Sequence, residues 1–146
     1  MELCNFKIKS KKRKKYIGKP LSSKLLEKYS IGKFHFPIRN GIENILVAKD
    51  SILDVVQKAK EDEELLYEQL VDITATDNIL SKTSYSNERF TIIYSFLSLK
   101  YNKRLFVFSN ISESHLEIDS ITQIFESADW YERECYDLFG VNFNNH

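Results

Sequence analysis

Phe90-Thr91-Ile92-Ile93-Tyr94-Ser95-Phe96-Leu97-Ser98-Leu99, followed by Tyr101-Asn102-Lys103 and Arg104-Leu105-Phe106-Val107-Phe108, sets the fold class of this chain. The first run is dense in β-branched and aromatic residues, which suit a pleated, half-buried surface. It is the strongest strand signal in the sequence. The polar tripeptide makes a tight connection and the second run returns, so the pair reads as a hairpin. Phe90, Ile92, Tyr94 and Phe96 share one face at period two and read as core.

Upstream, Leu70, Val71, Ile73 and Ala75 alternate with Asp72, Thr74 and Thr76 after the first apolar pair, which places a strand between Tyr67 and Thr76. Ile45-Leu46-Val47-Ala48 reads as a shorter strand. Between them, Asp50 or Ser51 caps a helix with Ile52, Leu53, Val55, Val56 and Ala59 on its apolar side. That helix runs out in Lys60-Glu61-Asp62-Glu63-Glu64, read as a solvated acidic face. Ile31 to Asn40 reads as irregular, and Pro37 argues against a central strand there. Ser22 or Ser23 is a candidate cap for a short helix reaching Lys28 or Tyr29. Asp77 to Asn87 is polar and loop-like.

Downstream, Ser120 is a candidate cap for a helix holding Ile121, Ile124 and Phe125. A last helix follows from about Ala128 to Phe139, closed by Gly140 where a left-handed stop is favoured. The string is β-α-β-β-β-α-α after a basic arm. It predicts an α+β fold, with a small mixed or antiparallel sheet of about four strands and flanking helices. The expected organisation is an arm over 1–20 and one domain over 21–146. The apolar sides of 52–60 and 119–139 are expected to cover one face of the sheet.

Size and composition agree with one globular domain: 146 residues, 42% hydrophobic and 13% aromatic, enough for one sizeable core. Net charge is zero, but the first nineteen residues hold eight Lys or Arg against Glu2 alone, a local +7. Such an arm is either a solvated terminus or a contact for RNA, anionic lipid or an acidic protein. Cys4 and Cys135 are the only cysteines, which suits a reducing compartment and offers no CxxC pair for zinc or an iron–sulfur cluster. No apolar run approaches a membrane span, and the N-terminus lacks the apolar stretch of a secretory signal.

The search for chemistry returns little. Gly18, Gly32, Gly41 and Gly140 are isolated, so no glycine-rich phosphate cradle is written in the chain. His35, His115 and His146 lie in separate segments without metal-site spacing. Glu132 and Glu134 lie just before Cys135 and oppose a thiolate, so Cys135 reads as packing, sharing a face with Ala128, Tyr131 and Leu138.

Trp130-Tyr131-Glu132-Arg133-Glu134-Cys135-Tyr136-Asp137-Leu138-Phe139-Gly140 is denser in mixed character than a surface or core helix requires. Arg133 and Asp137 are spaced to pair along the helix, and Glu134 and Asp137 share a face with Trp130. The bland reading is intrahelical ion pairing. The sharper one is a charged stripe on a partner surface, since aromatics and arginine are enriched at interfaces.

These residues carry a resemblance. Trp130…Glu132-Arg133-Glu134…Tyr136-Asp137-Leu138-Phe139-Gly140-Val141…Phe143…His146 resembles the signature of the 30 kDa subunit of respiratory complex I. Leu70…Asp72-Ile73-Thr74-Ala75…Asp77 looks like the family's Leu-x-Asp-Leu-Thr-Ala-x-Asp block, and Arg89-Phe90…Ile93-Tyr94…Leu97-Ser98 and Arg104-Leu105 like its next strands. The resemblance runs from about residue 40 to the end. It implies a structural subunit of the quinone-reducing module in the peripheral arm, within an enzyme complex but with no catalytic residue of its own. It implies no flavin, iron–sulfur or nicotinamide site in this chain. The expected partners are other complex I subunits, chiefly the quinone-cavity (49 kDa-type) subunit.

The same resemblance implies a place on the matrix side of the mitochondrial inner membrane, or on the cytoplasmic face of a bacterial plasma membrane. The expected interface residues are Trp130, Glu132, Arg133, Glu134, Tyr136, Asp137, Phe139, Gly140 and His146. In the family the histidine is followed by Pro-Asp-Leu-Arg-Arg and a wrapping tail, whereas this sequence stops at His146. Either a separate polypeptide or other subunits are expected to fill that groove, or the attachment is altered. The alternatives are an RNA- or ribosome-associated protein using the basic arm, and the equivalent subunit of a membrane-bound hydrogenase.

Overall fold

The computed structural model describes residues 34–39 as backbone, and residues 42–79 and 88–146 in full. The basic arm 1–20, the helix expected from Ser22 or Ser23, and the loop 80–87 lie outside the described residues.

The hairpin is the centre of the molecule. β4 (Phe90–Ser98) and β5 (Lys103–Ile111) pair antiparallel from Phe90 opposite Ile111 to Ser98 opposite Lys103. Asn102 takes a left-handed φ of 49° in the connecting turn, a conformation asparagine tolerates. β3 (Gln69–Asp77) adds antiparallel to β4, and β2 (Ile42–Leu46) adds parallel to β5. β1 (Phe34–Arg39) closes the far edge against β2, giving the order β1-β2-β5-β4-β3.

The four expected strands are thus present in a mixed sheet, with a fifth at the edge. Ile31 to Asn40 was expected to be irregular; Phe34–Arg39 is instead extended and paired. Pro37 still keeps this strand out of the sheet centre, because it has no N–H for a second neighbour. The ladder shifts register between Phe36 and Arg39, around the proline. A second shift falls between Leu70 and Asp72, so the doubled apolar pair Leu70-Val71 marks a bulge.

One face of the sheet is dry. Ile45, Leu70, Ile73, Ala75, Phe90, Ile92, Tyr94, Phe96, Leu105 and Val107 form the sheet side of a single core. α1 (Ile52–Glu61) contributes Ile52, Val55, Val56 and Ala59, whose helical spacing makes one apolar stripe. Each large side chain there is worth roughly 1.5–3 kcal/mol of transfer free energy. Ser51 occupies the N-cap position of α1 without a side-chain cap bond.

The acidic cluster after α1 is only partly solvated. Asp62 is buried, and its carboxylate accepts the Glu64 N–H at 2.9 Å while its carbonyl accepts Leu65 and Leu66 N–H. This turn forces Leu66 to a φ of 43° and drops Leu65 and Tyr67 into the core.

After the hairpin, β6 (Glu117–Asp119) pairs parallel to β7 (Asn142–Asn144) as a small second sheet. The helix expected after Ser120 does not extend. Its hydroxyl accepts the Thr122 N–H at 3.2 Å, and Ile121 carbonyl takes both Ile124 and Phe125 N–H in a single turn. Serine bonding to its local backbone competes with helix growth. Lys60 fixes this turn to α1 by donating to the Ile124 carbonyl at 2.5 Å, with its ammonium over the Phe125 ring.

A candidate docking site on the last helix

α2 (Ala128–Phe139) packs against β3. Ala128, Glu132 and Cys135 are its buried residues, with Tyr131 and Phe139 partly buried beside them. Leu138, expected on the inner face, is 67% exposed; the inward stripe follows 128, 132, 135 and 139 and leaves it outside. The Cys135 thiol donates to the Ile73 carbonyl at 3.5 Å, so the helix covers the edge strand. Burial, and then the carboxylates of Asp72, Glu134 and Glu132, push this thiol up to about 12. It is a packing group with little thiolate at neutral pH. Gly140 ends the helix at φ +73°, donating its N–H to the Tyr136 carbonyl at 2.8 Å.

Glu132 is the unexpected member. Its residue exposure is 1%, and a buried carboxylate is costly unless its oxygens find partners. One oxygen accepts the Ile121 N–H at 2.8 Å, and the other lies 2.9 Å from His146 Nδ1. His146 Nε2 reaches Asp129 Oδ1 at 3.2 Å. The imidazole therefore bridges two carboxylates one turn apart and ties the end of the described chain to α2. Burial, and then the negative charge of Glu132, raises the Tyr94 phenol well above its ordinary range.

The outward face carries Trp130 at 73% exposure and Tyr136 at 58%, with Leu138 and Glu134 also exposed. Isolated large apolar side chains on a surface are ordinary, but one twelve-residue helix exposes three, Trp130 and Leu138 on one side of its outward face and Tyr136 on the other, toward His146 and Asn142. Arg133 was expected to pair with Asp137. It reaches back to Asp129 instead, at 3.3 Å, and lies 5.3 Å from the Trp130 ring centroid. Both partners lie toward the helix N-terminus, along the row that long helical side chains favour. The Asp137 carboxylate is left with no hydrogen bond or ion pair among the described residues.

Between α2 and β7 lies a cleft of about 450 Å³. Glu132, Arg133, Tyr136 and Asp137 form its helical wall, and Asn142, Phe143 and His146 form the other. Of the residues expected to meet a partner, the structure gathers five around this cleft. Trp130 and Glu134 lie on the adjoining exposed face, Phe139 is half-buried and Gly140 shapes the turn. Asp129 and Asn142 were not singled out. The four-residue spacing of Asp129 and Arg133 was a usable signal, whereas nothing in the sequence pointed to Asn142. Among the described residues no group of three or more His, Cys, Asp or Glu is placed to hold a metal ion, and no helix is long and apolar enough to cross a membrane.

Comparison with known proteins gives this geometry a context. Residues 45–146 match the family described as the respiratory-chain NADH dehydrogenase 30 kDa subunit. The chain is 34% identical over 123 residues to the C-type subunit of the NADH-quinone oxidoreductase of Citrifermentans bemidjiense, covering 84% of this chain and 72% of that protein. It is 42% identical over 98 residues to the same subunit from Rickettsia felis, covering 67% of this chain and 44% of that one. The chain thus spans less than half of the second relative. A trypsin-resistant fragment (1–134) of Nqo5 superposes with a TM-score of 0.71 at 23% identity, over 86% of this chain and 94% of the fragment, a likeness of fold. With the match running from β2 through the whole of α2 to His146, the chain belongs to the family of the 30 kDa subunit of respiratory-chain NADH dehydrogenase.

Proposed function

We propose that this chain is a structural subunit of the quinone-reducing module in the peripheral arm of a proton-pumping NADH:quinone oxidoreductase. Its work is to hold neighbouring subunits in register while electrons pass from NADH to quinone elsewhere in the complex. The exposed face of α2 and the adjoining cleft dock on the quinone-cavity (49 kDa-type) subunit, and the chain reaches the membrane only through the assembly. A mitochondrial inner membrane and a bacterial plasma membrane both fit this role.

One observation carries the reading: Trp130, Tyr136 and Leu138 stand exposed on a helix whose opposite side is locked into the core. Aromatic anchors on a rigid element lose little conformational entropy on contact, which favours docking. The RNA reading is not favoured. The aromatics of β4 that invited it, Phe90, Tyr94 and Phe96, face the core and offer no platform for bases.

Affinity capture of the tagged full chain from membranes solubilised in mild detergent tests the proposal. Quinone-module subunits are expected to co-purify. Recovery only as a free monomer would overturn it.

A further inference from the structure

The cleft beside α2 has a chemical character of its own. Eight acidic residues and a single cation, Arg133, occupy positions 112–146, a net charge of −7. The preceding residues 20–111 balance to zero, with twelve basic and twelve acidic residues. The cleft therefore lies in the most negative part of the sequence, and such a field favours cationic guests.

Inside the cleft, most local charges are already matched. Glu132 is held by the Ile121 N–H and His146, and Asp129 by His146 and Arg133. Arg133 also sits with its guanidinium carbon 5.3 Å from the Trp130 ring centroid and pairs with Asp129, not with Asp137. Among the described residues what remains is the Asp137 carboxylate, four residues from Arg133 on the same wall, with the exposed Tyr136 ring lining the same cleft. A carboxylate beside an aromatic face is the pairing that a guanidinium satisfies, by a forked hydrogen bond and by stacking.

Resting on the docking reading above, we propose that this cleft receives an arginine side chain from a segment of the neighbouring subunit, paired to Asp137 and laid against Tyr136. Trp130 and Leu138 then form the apolar border of the contact, and Asp137 sets its register.

The test uses the full chain in its membrane complex, with a photo-reactive benzoyl-phenylalanine in place of Tyr136. The expected cross-link joins another subunit, at a peptide with an arginine within a few residues. Asp137→Arg is expected to lower recovery in the complex at least tenfold, and Asp137→Asn several-fold with a weaker salt dependence. Glu63→Arg, the same charge change on the exposed turn after α1 and away from the docking face, is expected to lower it less than threefold.

A cross-link to a neighbour lacking arginine at that place would overturn the guanidinium guest and leave the docking reading standing. So would normal assembly of Asp137→Arg. A cross-link to residues 7–19 of this chain would make its own basic arm the guest and overturn the proposal. No cross-link to any subunit, from Tyr136 or from Trp130 similarly replaced, would sink both readings.

Discussion

The imidazole of His146 lies 2.9 Å from the carboxylate of Glu132, a side chain with no solvent exposure, and joins the end of the described chain to the middle of its last helix. The other Glu132 oxygen holds the Ile121 N–H, so this one side chain fixes both segments that frame α2. Glu132→Ala leaves that N–H without a partner and is expected to cost about 2–5 kcal/mol, as for loss of one member of a buried charged network. Glu132→Gln keeps an acceptor for Ile121 and is expected to cost less. Urea unfolding of the two variants checks the order; equal losses would show that the Ile121 contact contributes nothing.

Tyr94 and Tyr67 bury hydroxyls that meet no hydrogen-bond partner among the described residues. Removing such a group relieves an unmet desolvation cost. Tyr94→Phe and Tyr67→Phe are each expected to be neutral or to stabilise by up to about 1 kcal/mol. A loss larger than about 1 kcal/mol in either variant, measured by thermal unfolding, would reveal a bound water or a partner group.

Gly140 sits at φ +73°, and among the described residues a Cβ built there meets only Leu116 Cδ2, at 3.8 Å. Space is therefore ample and the constraint is the backbone. Gly140→Ala is expected to cost about 1–2 kcal/mol, and Gly140→Asn less, because asparagine tolerates the left-handed region. Equal costs for both, read from denaturation midpoints, would place the penalty in packing.

The folded state holds the Cys135 proton more tightly than the unfolded chain, with the thiol moved from its ordinary 9.0 to about 12. Its contribution to stability is full below pH 9 and is lost as pH rises through that window, at about 1.4 kcal/mol per pH unit. The buried phenols of Tyr67 and Tyr94, also raised, add to the loss above their ordinary 10.0. Unfolding free energies between pH 8 and 10 are expected to fall, and Cys135→Ala is expected to flatten the part between 9 and 10. An unchanged slope would place the thiol outside the titrating set.

Trp130 and Arg133 touch each other and solvent more than the core. Trp130→Ala and Arg133→Ala are expected to change the stability of the isolated chain by about 0.5 kcal/mol or less. Both are expected to lower recovery in the membrane complex several-fold. A variant that assembles normally but melts early would make its residue part of the fold and not of a contact.

Much of the scaffold was legible along the chain. The period-two rows of β3 and β4, the helical stripe from Ile52 to Ala59 and the Gly140 stop each depend on neighbours within a few residues, so local pattern reports them. Pro37 signalled an edge position without revealing the strand itself, because pairing of Phe34–Arg39 depends on β2, a separate run. Ser120 showed the opposite failure, a helix cap by composition whose hydroxyl bonded the nearby backbone instead.

The amino-acid order alone settled the α+β class, the hairpin at 90–111 and the family, since these follow from periodicity and contiguous blocks. It also placed the important helix at 128–139. Which of that helix's charges is buried was decided only in three dimensions. Glu132 and Asp137 look alike in the sequence, yet one is enclosed by Ile121 and His146 while the other faces an open cleft. The difference is desolvation and partner supply, and both come from segments that meet α2 only when the sheet and the turn at 120–125 have closed around it.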